Sequence, residues 1–260
     1  MQTNDPSHDV ASDVRVTRRT ALRGAMAVPA LMAISAVTAP VLRAGTLPDP
    51  TDDQERGKDI AAFMDEWQKR TAAAVEAGAT DDDAHLHALL AEVARLDPRA
   101  FPPRTKDAFS NGDFTSGPIL GSPTFLILEF EMAPNAPIQA HNHVGWSFVS
   151  VGVEGEATVR HYEPDGKAPD PGSELDVPFA IREVQRTVLT RGRSSSLTRT
   201  RANIHEFRSG PEGARFIDFG VNYGKPNGGY TSFSKLVIDE SPTDAARGIH
   251  TARWIGNPKR

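Results

Sequence analysis

Residues 125–137 read FLILEFEMAPNAP. Leu126, Leu128, Phe130 and Met132 occupy every second position, with Glu129 and Glu131 between them. Side chains of an extended chain point alternately to its two faces, so this period of two predicts a strand with one face buried. The stretch Ala133 to Pro137 ends it, since proline cannot donate to a sheet ladder. The same grammar continues downstream. Strands are expected over 146–153 and 156–162 with a turn at Glu154-Gly155, then over 181–189, 195–201, 204–208, 215–223 and 232–238. About eight short strands in one block predict an all-β, double-sheet jelly-roll barrel. Its expected extent is 117–240, followed by a C-terminal tail over 241–260.

Upstream the period changes. Ile60, Phe63, Met64, Trp67 and Thr71 recur at three- and four-residue steps and predict a helix over 54–77, ended by Gly78. A second helix is expected after Thr80, with an acidic first turn at Asp81 to Asp83 and Leu86, Leu89, Leu90, Val93 and Leu96 on one face. Asp97-Pro98 stops it. Residues 45–116 are thus expected to supply a spacer and helices that pack on the barrel.

The first 44 residues read as an export signal of the twin-arginine kind: Arg18-Arg19 precede a weakly apolar, Ala-rich run from Gly24 to Ala39. Pro29 and Pro40 argue against a membrane span there. Without residues 1–44, Lys plus Arg falls from 29 to 24 and Asp plus Glu from 34 to 31, a net charge of -7. Such mild acidity argues against nucleic acid or an anionic membrane as partner. With no cysteine in the chain, disulfides, thiolate ligands and a cysteine nucleophile are excluded.

Any metal must therefore be held by imidazole, carboxylate or amide. Of eight histidines, His141 and His143 are two apart and His205 lies on a later strand that can neighbour them. Three neutral imidazoles suit a first-row ion such as iron, and zinc, nickel or copper are chemically acceptable. The other histidines rank lower: His85 and His87 diverge on a helix, His161 stands at a strand end, and His8 and His250 fall in tails. No glutamate follows His143 within a few residues, which favours three ligands over four. Arg160, Arg182, Arg199, Arg201 and Arg215 lie on or beside strands, and any of them can meet a substrate carboxylate.

His141-Asn142-His143-Val144-Gly145-Trp146, with Gly155 twelve residues beyond His143, resembles the first metal motif of the thiol dioxygenases. The similar branch is the one containing plant cysteine oxidases and cysteamine dioxygenase. Asn203 to Phe207 resembles that branch's segment around its third iron ligand. Phe216 to Gly220, continuing through Tyr223-Gly224-Lys225-Pro226, resembles the strand that follows it. The resemblance implies a cupin double-stranded β-helix, Fe(2+) as cofactor, His141, His143 and His205 as its ligands, and Asp218 and Tyr223 as catalytic groups facing the site. It departs from the cysteine dioxygenase branch, whose cysteine five residues after the second histidine is Phe148 here. Phe219 and Val221 stand where that branch carries its Ser-His-Tyr relay.

The expectation is thus an exported, periplasmic or secreted iron(II) dioxygenase that takes a small thiol and O2 to a sulfinate. Two alternatives stay open. One is a metal-dependent cupin acting on a non-thiol substrate as oxygenase, isomerase or lyase; the other is a non-catalytic secreted binding module. The export reading has a direct check. Replacing Arg18 and Arg19 by lysine is expected to leave the protein in the cytoplasm, as read by cell fractionation; unaltered export of that variant refutes the twin-arginine assignment.

Overall fold

A computed structural model describes residues 60–78, 82–105, 109–223 and 233–256. The expected export signal, the spacer at 47–53, the first turns of the first helix and the Gly224-Lys225-Pro226 end of the last motif lie outside the described residues.

Helix α1 (Ile60–Glu76) buries Phe63, Trp67 and Thr71, one face at four-residue steps. Gly78, at φ 71°, ends the helix, and its N–H bonds Val75 O at 3.0 Å. Helix α2 (Asp82–Val93) contributes Leu86, Leu89 and Val93 to the same cluster. Asp97 then caps a short 3-10 turn at Pro98–Ala100 by accepting from Arg99 N–H.

The rest is antiparallel sheet. Its strands are β1 (Phe109–Ser110), β2 (Phe114–Gly121), β3 (Phe125–Met132), β4 (Pro137–Asn142), β5 (Trp146–Pro164), β6 (Pro178–Leu189), β7 (Ser194–Leu197), β8 (Ile204–Asn222), β9 (Lys235–Ile238) and β10 (Ile249–Gly256). The axis is the β5–β8 pair, which stays paired from Trp146↔Asn222 to Tyr162↔Ile204, with register shifts at two bulges. On the first half of β5 and the second half of β8 a sheet is built from β1, β2, β3 and β7. The other halves join β4, β6, β10 and β9, and β9 returns to β4 at His141↔Lys235, closing a ring of six strands. This is the cupin-type jelly-roll barrel, with helices outside, that the sequence predicts.

Alternation sorts the strands' side chains onto separate cores. Val149, Val151 and Val153 of β5, with Ile217, Phe219 and Val221 of β8, pack against the helices. Their neighbours Phe148 and Phe216 point between the two sheets. Beyond the bend, Tyr162 and Ile204 join Ala140, Leu236, Ala252 and Trp254 inside the ring. His141, His161 and His205, each adjacent in sequence to one of these ring residues, leave on the opposite face.

Four expectations are corrected. The turn at Glu154-Gly155 does not end a strand: β5 runs through it, with register shifts between Gly152 and Glu154 and between Gly155 and Ala157. These bulges bend the strand between sheets while its pairing with β8 persists. Gly155 sits at φ 61°, where a Cβ would stand 2.2 Å from Gly213 O, so only glycine fits there. The separate strands expected at 204–208 and 215–223 are likewise one bent strand. The tail at 241–260 contains β10, with Ala252 and Trp254 0% and 3% exposed. Among charged neighbours its apolar alternation is short, and only its pairing with β6 and β9 makes a strand of it. The strand expected to reach Arg201 ends at Leu197, because Thr198 and Arg201 pair in a turn.

Candidate metal centre

β4 lies beside β8 with His141 directly opposite His205, so the two rings leave one face. His143 stands just past the end of β4, before a turn at Gly145 with φ 78°. Its N–H donates to Asn203 Oδ1 at 2.7 Å, and the Asn203 amide donates to Thr198 O at 2.8 Å. Those bonds swing its ring back over the strand. His143 Nε2 comes within 2.9 Å of His205 Nε2, which lies 3.1 Å from His141 Nε2. All three ligand atoms fall within 4.8 Å of one another. Two nitrogens bound at about 2.1 Å to one ion, at right angles, stand about 3.0 Å apart, so the cluster fits a single ion. The sequence-predicted ligands are thus brought together.

The protonation states suit this use. A carbonyl only accepts, so His141 Nδ1–H donates to Gln139 O at 2.8 Å and Nε2 keeps its lone pair. Burial pushes the His141 ring down to about 4, against the pull of that bond, and the Lys235 charge adds to the effect. Burial, then neighbouring imidazoles, holds His143 and His205 well below the ordinary histidine value. Each ring is backed by a phenylalanine: Phe148 lies 4.4 Å from His143, Phe207 4.7 Å from His205 and Phe233 5.7 Å from His141, between ring centres. Walls of this kind keep water from an ion and strengthen its electrostatics.

His161, ranked below the ligands, nevertheless stands beside them. It is opposite His205 in the β5–β8 ladder, 1% exposed, with its ring 5.7 Å from that of His205. Both its nitrogens are engaged. Nδ1–H donates to Ala202 O at 3.2 Å, so Nε2 accepts from Ser195 Oγ at 2.7 Å, and Gln185 Nε2 donates to the same Ser195 oxygen at 3.0 Å. Ala202 holds φ 54°, a strained value for a residue with a side chain, while presenting that carbonyl. His161 is therefore a neighbour that packs behind a ligand. Its alternation with Ala157 and Val159 was the available signal for an interior position.

Asp218 faces the barrel interior on β8, opposite Ser150 on β5, which is opposite Ser195 on β7. It is 4% exposed, and its Oδ1 has no hydrogen-bond partner among the described residues. Burial raises its carboxyl to about 7, moderated by a hydrogen bond from Ser150. Phe148, one inward-facing position before Ser150 on β5, carries the contact to His143, and no described side-chain contact joins Asp218 itself to the imidazoles. Tyr223 goes elsewhere than expected. Its N–H bonds Gly145 O, but its ring packs against the helix-side cluster, 6.0 Å from the His85 ring, with the Arg199 guanidinium 5.0 Å from its centre. Alternation along β8 puts it there, in line with Phe219 and Val221.

Three of the expected arginines are committed to carboxylates. Arg160 pairs with Glu183 and Glu206, both at 2.9 Å; Arg201 pairs with Asp83, Arg215 with Glu129 and Glu154, and Arg182 is exposed.

Replacing His141, His143 or His205 by alanine is expected to remove most bound metal, and His161→Ala is expected to retain it, both read by elemental analysis. Loss with His161→Ala and retention with His205→Ala would show a different ligand set. Asp218 makes a pH-dependent forecast for the metal-free protein. Its folded value of about 7 exceeds the ordinary 3.8, so its burial costs nothing below about pH 4 and a growing amount as pH rises toward 7. Asp218→Asn should raise Tm by on the order of 5 °C at pH 8 and leave it unchanged at pH 4. Equal Tm values at pH 8 contradict a buried, disfavoured carboxylate.

No family model and no curated protein matches the chain. Solved structures do. KdgF from Halomonas sp. aligns at 11% identity over 45% of this chain and 86% of its own, with a TM-score of 0.33. Recombinant pro-11S globulin of pumpkin aligns at 12% identity over 48% of this chain and 30% of its own, TM-score 0.36. Procruciferin, an 11S globulin from Brassica napus, aligns at 16% identity over 47% and 28%, TM-score 0.35. The match spans less than a third of either globulin.

Proposed function

We propose that the protein is an exported mononuclear non-haem iron(II) dioxygenase that converts a small thiol, or a thiol-bearing compound, to its sulfinate with O2. The observation that carries the reading is the convergence of three neutral imidazole Nε2 atoms with no carboxylate in the set. Motif similarity to thiol dioxygenases at those same positions supports it. Bound iron(II) would supply uncompensated positive charge, which favours an anionic thiolate as ligand, and open positions for it and for oxygen.

The chain's own residues do the rest. His141, His143 and His205 hold the ion. Phe148, Phe207 and Phe233 exclude water and leave little room for a bulky thiol. Ser195, Gln185 and Ala202 fix His161, which packs behind the His205 ring and stops it from turning. Asp218, in exchange with its proton near neutral pH, is the group on the interior face able to take or return one through Ser150. The balance is R–S⁻ + O2 → R–SO2⁻: sulfur is oxidised by four electrons, O2 accepts all four, and no outside reductant is needed. The signal at Arg18-Arg19 supports export of the folded, metal-loaded protein to the periplasm or beyond.

The test is a panel of small thiols offered to the iron-loaded protein, with oxygen uptake followed by electrode and product by mass spectrometry. Uptake in step with sulfinate, about one O2 per sulfinate, is the expected result. Asp218→Asn is expected to keep iron and slow turnover by about 10- to 100-fold. Iron-loaded protein that consumes no oxygen with any thiol, or equal activity with zinc in place of iron, overturns the reading.

A further inference from the structure

The histidines belong to one continuous row across five strands. Lys235 on β9 is opposite His141 on β4, His141 opposite His205 on β8, His205 opposite His161 on β5, and His161 opposite Gln185 on β6. Residues directly opposite in antiparallel strands share a face, so the Lys235 side chain leaves on the metal face. The Asn142 N–H bonds Ser234 O at 3.0 Å, which makes His141 and Lys235 a pair of the closer, non-hydrogen-bonded type. Leu236, the next residue, is fully buried on the opposite face inside the ring, as alternation requires.

Lys235 is half-buried, and no ion pair of it is found among the described residues. The arginines on neighbouring strands are used otherwise. Arg160 and Arg215 are bound by glutamates, Arg201 by Asp83, and Arg199 lies over Tyr223. The row holds one cation, three imidazoles and one amide, with no carboxylate. Three neutral ligands leave a divalent ion's charge intact, and Lys235, whose backbone stands about one strand spacing (~5 Å) from that of His141, adds a second positive charge to the same face. A half-buried ammonium with no counter-ion among the described residues, beside an uncompensated metal, is stabilised when an anion arrives.

We propose that Lys235 anchors an anionic group of the substrate, so that the site takes a small carboxylate-bearing thiol in preference to a neutral or amine-bearing one. The proposal rests on the thiol reading above for the metal-bound end of the substrate and on Lys235 for the other. It assigns to a lysine of β9 the anchoring that the sequence left open among five arginines. Binding is dianionic: the thiolate meets the ion and the carboxylate meets the ammonium, two or three atoms apart.

The experiment uses the full-chain, iron(II)-loaded protein kept anaerobic, with binding followed by the iron's near-infrared circular dichroism. The probes are 3-mercaptopropionate, its amide and 2-aminoethanethiol, with succinate and its monoamide as thiol-free controls. The acid is expected to bind at least about tenfold more tightly than the amide, and the amine most weakly. Lys235→Met should erase the difference between acid and amide, Lys235→Arg should keep it, and both should retain iron and Tm. If thiols leave the iron unperturbed while succinate outbinds its monoamide with the same dependence on Lys235, the anchor stands and the thiol reading falls. Equal affinity for acid and amide, or a preference that survives Lys235→Met, overturns the anchor while sulfinate formation still decides the chemistry. Failure of every probe to reach the iron overturns the anchor as well.

Discussion

The pairing of β5 with β8 along nearly their whole length is the constraint on which the rest depends. It sets His161 against His205 at one end and Ser150 against Asp218 at the other, and it carries each core across two sheets. A single-residue slip would exchange the faces, sending His205 into the ring core and Ile204 into the metal face. The bulges at Gly152 to Ala157 shift the register and let the ribbon bend while the two strands stay paired on either side. Gly152 and Gly155 serve the same bend by different means: at both, a Cβ would lie 2.2 Å from a backbone oxygen, and Gly155 also has positive φ.

Because the ribbon is shared, the site inherits rigid support on several sides. Cross-strand pairing with β4 delivers His141, and a side-chain amide from Asn203 holds the loop that delivers His143. The imidazoles are dry-walled by phenylalanines, one of which extends into a stacked aromatic layer, Phe207 on Phe216 at 4.8 Å and Phe216 on Phe130 at 4.9 Å. Such packing limits how far a ligand can turn, which is what precise placement around an ion requires.

Asp218 is the point at which the fold is least economical. A carboxyl buried with an unmatched oxygen destabilises the native state at neutral pH, and a methyl-bearing side chain would pack there without that cost. Its place on the interior face, in line with Ser150 and Ser195, is one that stability opposes. His205 Nδ1 is a second buried atom without a partner among the described residues, in the same interior. Both lie on the one strand that also supplies the packing behind the site, so the cost is carried by the best-supported element of the barrel.

From residues alone, the all-β class, the two outer helices and the three converging histidines were legible. Each depends on short-range regularity: a period of two in 126–132, a period near 3.6 in 60–71, and a His-x-His pair beside a later Asn-Ile-His. Less could be read where pairing partners decide the outcome. Glu154-Gly155 has the composition of a turn, and only β8 running alongside makes it a bulge. Residues 249–256 have the composition of a tail until β6 and β9 receive them. Tyr223 carries the residue type the motif implies, and parity along β8 put its ring among the helices. His161 and Lys235 carry no local mark of function. They adjoin the ligands because three hydrogen-bonded ladders place them in the same row, and register between distant strands is set by the burial of whole faces, which no short window of sequence contains.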